Sequence, residues 1–165
     1  MDELPRLPEF PHYLSLEITS TCNLSCIMCP SREKLGRKGS MEASLWQRIV
    51  NEASLYPLKE MGIVGYGENL LHPELVEFID YAKGKNLSLF LVTNGLLLKG
   101  ELVRNLINSG LDRLIISCDA ASSQIYEAVK RGGDYRLLKK NILGFFEERK
   151  KIGKKPPAFN FNSYE

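Results

Sequence analysis

Long hydrophobic runs are missing from this chain: none approaches the roughly 20 apolar residues a bilayer-spanning helix needs, so a membrane anchor of that kind is excluded as its organising element. The N-terminal stretch Met1 to Pro11 is acidic and carries prolines, unlike a secretory signal peptide. Excess charge is missing too. Lys and Arg number 22 against 20 Asp and Glu, and the formal net charge of +2 is too small to argue for nucleic acid or an anionic membrane as a partner. Cysteine is nearly absent outside one loop, since three of the four fall between Thr19 and Pro30. These absences leave a cytoplasmic protein as the expectation, and in that reducing compartment clustered cysteines point to metal binding or catalysis rather than to disulfides.

What remains is ordinary for a single domain: 165 residues, 44% hydrophobic and 25% charged, enough to bury a sizeable core. The exceptional stretch is C-x3-C-x2-C, formed by Cys22, Cys26 and Cys29. That spacing lets three thiolates converge on one point, and soft thiolates select zinc, copper(I) or an iron-sulfur cluster. A closed structural zinc site wants four protein ligands, and His12, beyond a predicted strand, is the nearest candidate for a fourth. A [4Fe-4S] cluster on three cysteines would instead keep one iron open to something that is not protein.

Taken in order, residues 1–12 read as a leader and 13–165 as one core domain. Tyr13 to Thr19 alternates apolar and polar residues and predicts a strand that delivers the cysteines at its C-terminal end. A basic loop, Ser31 to Gly39, precedes a helix from about Ala43 to Ser54. Lys59 to Gly65 predicts a second strand, followed by the turn Gly65, Gly67, Glu68 and Asn69. Pro73 opens a helix expected to stop at Gly84. Leu87 to Val92 is a third strand ending in Thr93-Asn94-Gly95, and the helix after it runs to Gly110. Arg113 to Ser117 is a fourth strand; a short helix Ser122 to Lys130 is broken at Gly132 and Gly133. Asp134 caps a long helix, and Lys154, Pro156 and Pro157 lead to a fifth strand, Ala158 to Phe161.

Strands alternating with helices predict an α/β fold with parallel strands and outer helices. A full (β/α)8 barrel takes about 250 residues, so the expectation is a partial TIM-like barrel of about five βα units. Ligands in such sheets bind beyond the carboxyl ends of the strands. Every unusual group in the chain falls at such an end.

CNLSCIMCP after the first strand, GYGENLLHPEL after the second, TNGLLL after the third and ISCDAAS after the fourth together resemble the radical S-adenosylmethionine (radical SAM) superfamily, from Tyr13 to the C-terminus. The CNLxCxMCP form is similar to the branch whose members often carry an extra C-terminal cluster-binding domain. The resemblance implies that Cys22, Cys26 and Cys29 hold a [4Fe-4S] cluster and that S-adenosylmethionine is cleaved reductively. A 5′-deoxyadenosyl radical would then take hydrogen from a small-molecule or peptide substrate, with a flavodoxin or ferredoxin as electron donor.

The same resemblance places Met28 near the adenine, Gly67 and Glu68 at the methionyl ammonium, and Ser117 at the ribose, with Thr93 and Asn94 lining the pocket; on the last strand Asn160 and Asn162 share one face, so either is placed to reach the ribose or carboxylate. Blander roles stand beside these: Met28 as core, Asn94-Gly95 as a turn, Asp119 as a helix cap, His72 as a helix-start residue and Cys118 as a small hydrophobe. Asn69 stands where the family usually has proline, which is expected to relax the turn. The family core usually has six βα units, so the chain also reads as one missing its C-terminal part. An enzyme, or the N-terminal part of one, is the first reading; a non-catalytic cluster-binding or partner-binding remnant is the alternative.

Overall fold

A computed structural model describes residues 10–30, 39–153 and 157–162. Most of the expected leader (1–9), most of the basic loop (31–38) and the Lys154 to Pro156 connection lie outside the described residues. The elements are β1 (Tyr13–Leu16), α1 (Ala43–Ala53), β2 (Glu60–Ile63), a 3-10 turn (Asn69–Leu71), α2 (Leu75–Gly84), β3 (Leu89–Thr93), α3 (Gly100–Asn108), β4 (Arg113–Ser117), α4 (Ser123–Val129), α5 (Tyr135–Ile152) and β5 (Ala158–Asn162).

The five strands pair in chain order, β1-β2-β3-β4-β5, and every pair is parallel. A doubly wound sheet would reverse its strand order at a switch point. Sequential order without reversal is the barrel pattern, and here the sheet is open, as expected of a partial barrel. Because side chains alternate across a strand, the register separates two faces. Met61, Ile63, Leu89, Leu91, Leu114 and Ile116 share one face, all essentially buried, and join Trp46, Phe78, Ile79, Leu106 and Phe145 of the helices in a single core.

The other face carries Gly62, Phe90 and Arg113 in one row and Val92, Ile115 and Asn160 in the next. Gly62 is needed there because a Cβ would run into the Phe90 ring. The Arg113 guanidinium lies 4.8 Å from the centre of that ring and pairs with Glu60 at 2.6 Å. On the helix side Trp46 stacks on Phe78 with ring centroids 4.9 Å apart, and its indole N–H donates to the Phe78 carbonyl at 2.9 Å, locking α1 to α2.

The predicted cap forms, with Asp134 accepting from the Leu137 amide at 2.9 Å, and Ser122 caps α4 by accepting from the Ile125 amide at 3.4 Å. Several boundaries shift by a residue or two, and two of the shifts have a clear local cause. The strand expected to reach Thr19 ends at Leu16, because the chain beyond it bonds residues 39–41 instead: Ile18 accepts from the Met41 amide at 2.7 Å and Thr19 bridges Ser40. Gly84 sits inside the last turn of α2, and the left-handed residue that ends the helix is Asn86 (φ 61°), whose side chain tolerates that conformation.

Trp46→Ala removes a fully buried ring and its hydrogen bond, and should cost about 3–5 kcal/mol. Urea unfolding should show a lower midpoint with unchanged slope. A loss under about 1 kcal/mol would contradict this account of the α1-α2 packing.

Candidate functional site at the carboxyl end of the sheet

The cysteine loop follows β1 and is pinned on both sides of Cys26. The Ser25 amide donates to the Arg131 carbonyl and the Ile27 amide to that of Val129, each at 3.0 Å. Cys22 and Cys26 pack against the core, while Met28 is 52% exposed. None of the cysteines is disulfide-bonded. Burial pushes the Cys26 thiol up, Lys130 opposes that shift, and Cys22 and Cys29 add to it. Among the described residues no three His, Cys, Asp or Glu form a ready-made metal cage. Three soft donors on one anchored, half-buried loop still fit an iron-sulfur cluster by their chemistry.

Glu68 organises the neighbouring loops from a position only 2% exposed. Its Oε1 accepts from the Thr93 hydroxyl at 2.6 Å and from the Leu70 amide at 3.0 Å, and its Oε2 from the Asn94 amide at 2.7 Å. A carboxylate has about four lone-pair positions, so one on Oε2 remains. Burial raises the Glu68 pKa above its ordinary value despite these hydrogen bonds. Asn94 extends the network, its side-chain amide donating to Asn23 of the cysteine loop at 2.8 Å. Gly67 has no room for a Cβ, which would collide with the Thr19 carbonyl, and its amide, with that of Tyr66, donates to Glu17 at 3.2 and 2.7 Å.

Ser117 and Asp119 meet a residue that sequence reasoning did not single out. Lys130 donates to Ser117 Oγ at 2.9 Å and pairs with Asp119 Oδ2 at 2.7 Å, with both charged side chains at most 10% exposed. Asp119 is therefore not a helix cap; Ser122 takes that role for α4. Asn160 lies on the open face in register with Ile115 and is exposed. His72 is structural, its Nε2 at 3.1 Å from the Met41 carbonyl and its Nδ1 accepting from the Glu74 amide. Cys118 packs against the core, as a small hydrophobe would.

Asn69 does not relax the turn. Its amide group donates to the carbonyls of Ile63 at 3.1 Å and Val92 at 2.9 Å, tying the ends of β2 and β3 together. Glu17, Asn23, Lys130 and Asn141 were not legible as site residues, because each acts through a partner distant in sequence. Asn141 of α5 donates to the carbonyls of Gly95 and Leu96 at 3.0 and 2.9 Å, holding the β3 turn from behind. The available signals were slight: an acidic strand end, and a lysine shortly before a diglycine.

A model of the Radical SAM superfamily matches residues 16–153. The chain is 36% identical over 108 residues to the tungsten-containing aldehyde ferredoxin oxidoreductase cofactor-modifying protein of Pyrococcus furiosus, covering 65% of this chain and 30% of that one. It is 33% identical over 148 residues to a probable GTP 3′,8-cyclase of Methanococcus maripaludis, covering 88% and 48%. The chain thus spans about half or less of the length of these relatives. Among solved structures, Streptococcus suis SuiB bound to S-adenosylmethionine superposes with a TM-score of 0.74 at 21% identity, over 93% of this chain and 32% of that one. SuiB bound to its precursor peptide SuiA gives the same TM-score. The SuiB likeness is one of fold.

Glu68→Ala would strip three donors of their acceptor and should cost at least about 2 kcal/mol. A pH series separates the carboxylate's charge from its size. An acid whose folded pKa lies above its unfolded value binds extra protons when folded, so stability falls as pH rises from the ordinary value of 4.5 through the raised one. Asp80 contributes with the same sign, so the quantity to read is the difference between wild type and Glu68→Gln, which should lose that part of the slope. Equal slopes would contradict the burial of the Glu68 charge.

Proposed function

From the premise that the chain belongs to the radical SAM superfamily, whose members use S-adenosylmethionine, we propose that Cys22, Cys26 and Cys29 hold a [4Fe-4S] cluster for radical initiation. When bound, such a cluster supplies the single electron that cleaves S-adenosylmethionine to methionine and a 5′-deoxyadenosyl radical. That radical abstracts hydrogen from a small-molecule or peptide substrate. The observation that carries the proposal is convergence: the anchored cysteine loop is hydrogen-bonded through Asn23 and Asn94 to the turns that bear Glu68 and Thr93.

In this reading residues 13–165 form the radical SAM core after a leader, 1–12. Gly67 keeps the β2 turn close against the cysteine loop, and the remaining Glu68 lone pair serves the methionyl ammonium. Met28, exposed beside Cys29, covers the adenine; Ser117 and Asn160 face the nucleoside from β4 and β5, and Thr93 holds the wall between them. A flavodoxin or ferredoxin delivers the electron, and the protein works in the cytoplasm, where thiols stay reduced.

Anaerobic reconstitution with iron and sulfide tests the ligand set. Cys22→Ala, Cys26→Ala and Cys29→Ala should each abolish the absorbance near roughly 400 nm of a thiolate-bound cluster, and Cys118→Ala should retain it. Equal loss in Cys118→Ala would overturn the assignment. S-adenosylmethionine should bind to the reconstituted wild type and bind at least about tenfold more weakly (roughly 1.4 kcal/mol) to Glu68→Gln with the cluster intact; unchanged affinity would remove the ammonium role.

A further inference from the structure

Lys130 has a use that packing alone does not explain. A lysine is among the residues least often buried unless paired, yet this one is 5% exposed. The local sequence turns it inward. α4 ends at Val129, the Lys130 amide donates to the Tyr126 carbonyl at 2.7 Å, and the Gly133 amide donates back to the Lys130 carbonyl at 2.7 Å. Gly132 takes a positive φ of 86°, and a Cβ at Gly133 would lie 2.8 Å from both the Lys130 carbonyl and the Tyr126 ring. Only a diglycine lets the chain double back so tightly.

The turn also carries the two carbonyls that receive the amides on either side of Cys26. Lys130 thus stands opposite Cys26 across a short two-bond ladder, with its ammonium fixed by Ser117 and Asp119. Fixing a cation by one hydroxyl and one carboxylate, with the other Asp119 oxygen buried and unpartnered, leaves a polar group beside the cysteine loop that is incompletely satisfied within the protein.

We propose that Lys130 is a positioning charge that sets the reduction potential of the group held at Cys26, with Asp119 tuning it in the opposite direction. The inference rests on the cluster assignment above. Reduction adds one negative charge to a thiolate-bound cluster, and a buried cation nearby favours the reduced form, while burial keeps salt from screening it. The pairing places the Cys26 and Lys130 side chains on the same side of the two-bond ladder, because directly opposite residues of an antiparallel pair face the same way.

The test is a dithionite titration of the reconstituted full chain without S-adenosylmethionine, with the reduced cluster followed by electron paramagnetic resonance. At a fixed potential, Lys130→Met should lower the reduced-to-oxidised ratio at least about tenfold, about 59 mV for a one-electron couple. Lys130→Arg should stay within about twofold of wild type, roughly 18 mV on the same scale. Asp119→Asn should shift the midpoint the other way. Opposite signs from the two halves of one ion pair separate a charge effect from general loosening, which would move both alike. Arg131→Met, at an exposed side chain, should leave the midpoint in place at high salt.

An unmoved midpoint in Lys130→Met with wild-type iron content overturns the inference, as does a shift of the same sign in Asp119→Asn. If Lys130→Met assembles no cluster, Asp119→Asn and Lys130→Arg carry the test: an upward shift in the first with little change in the second supports the inference, and any other pair of results overturns it. A wild-type protein that forms no reducible cluster overturns the cluster assignment itself, and the inference with it.

Discussion

The Glu68 carboxylate is the contact on which the carboxyl end of this sheet depends. It lies between the ends of β2 and β3, takes up a hydroxyl and two backbone amides, and fixes Asn94 so that its side chain meets Asn23 in the cysteine loop. Three loops from three strands are held through one buried charge. Such a group is costly to desolvate and stays only where hydrogen bonds replace water. The raised pKa of Glu68 expresses that cost, and its hydrogen bonds show what offsets it. Carboxylates elsewhere do simpler work: Glu17 straps down the Tyr66-Gly67 backbone, and Asp112 receives Lys83 and the Leu89 amide at the opposite ends of the strands.

The rest of the fold supplies a rigid backing for that network. Parallel strands in unbroken order put the carboxyl ends side by side, so loops remote in sequence become neighbours. α5 contributes more than apolar cover. Asn141 bonds the carbonyls of Gly95 and Leu96, and Leu138 occupies the space a Cβ on Gly95 would need. The β3 turn is therefore held by Glu68 from one side and by α5 from the other. That is the preorganisation a binding site on loops requires, because loops without support lose their geometry first.

Much of this was legible in the sequence, and what was not has a physical reason. Strand and helix periodicities, the cap at Asp134 and the motif at each strand end are local signals, and they located the elements to within a few residues. Asn86 was missed because a glycine two residues earlier was the stronger stop signal. Lys130 and Asn141 sit in an amphipathic context where a lysine and an asparagine read as surface; only the tight Gly132-Gly133 turn and the approach of α5 bring them inward. Asn69 reads locally as a weakened turn residue, and its amide instead joins two strand ends that no local pattern connects. Glu68 was found through its motif, but its three internal hydrogen bonds depend on the sheet register.

A half-buried cysteine loop, a fixed buried cation behind it and a preassembled wall of turns beside it are suited to holding a cluster and a small charged cofactor together. The decisive measurement is reduction of the reconstituted protein in the presence of S-adenosylmethionine, followed by chromatography for 5′-deoxyadenosine. Product that requires both the reductant and Cys22 is expected. A fully loaded, fully reduced cluster that yields no product would contradict radical initiation by this chain and leave it as a cluster-binding protein.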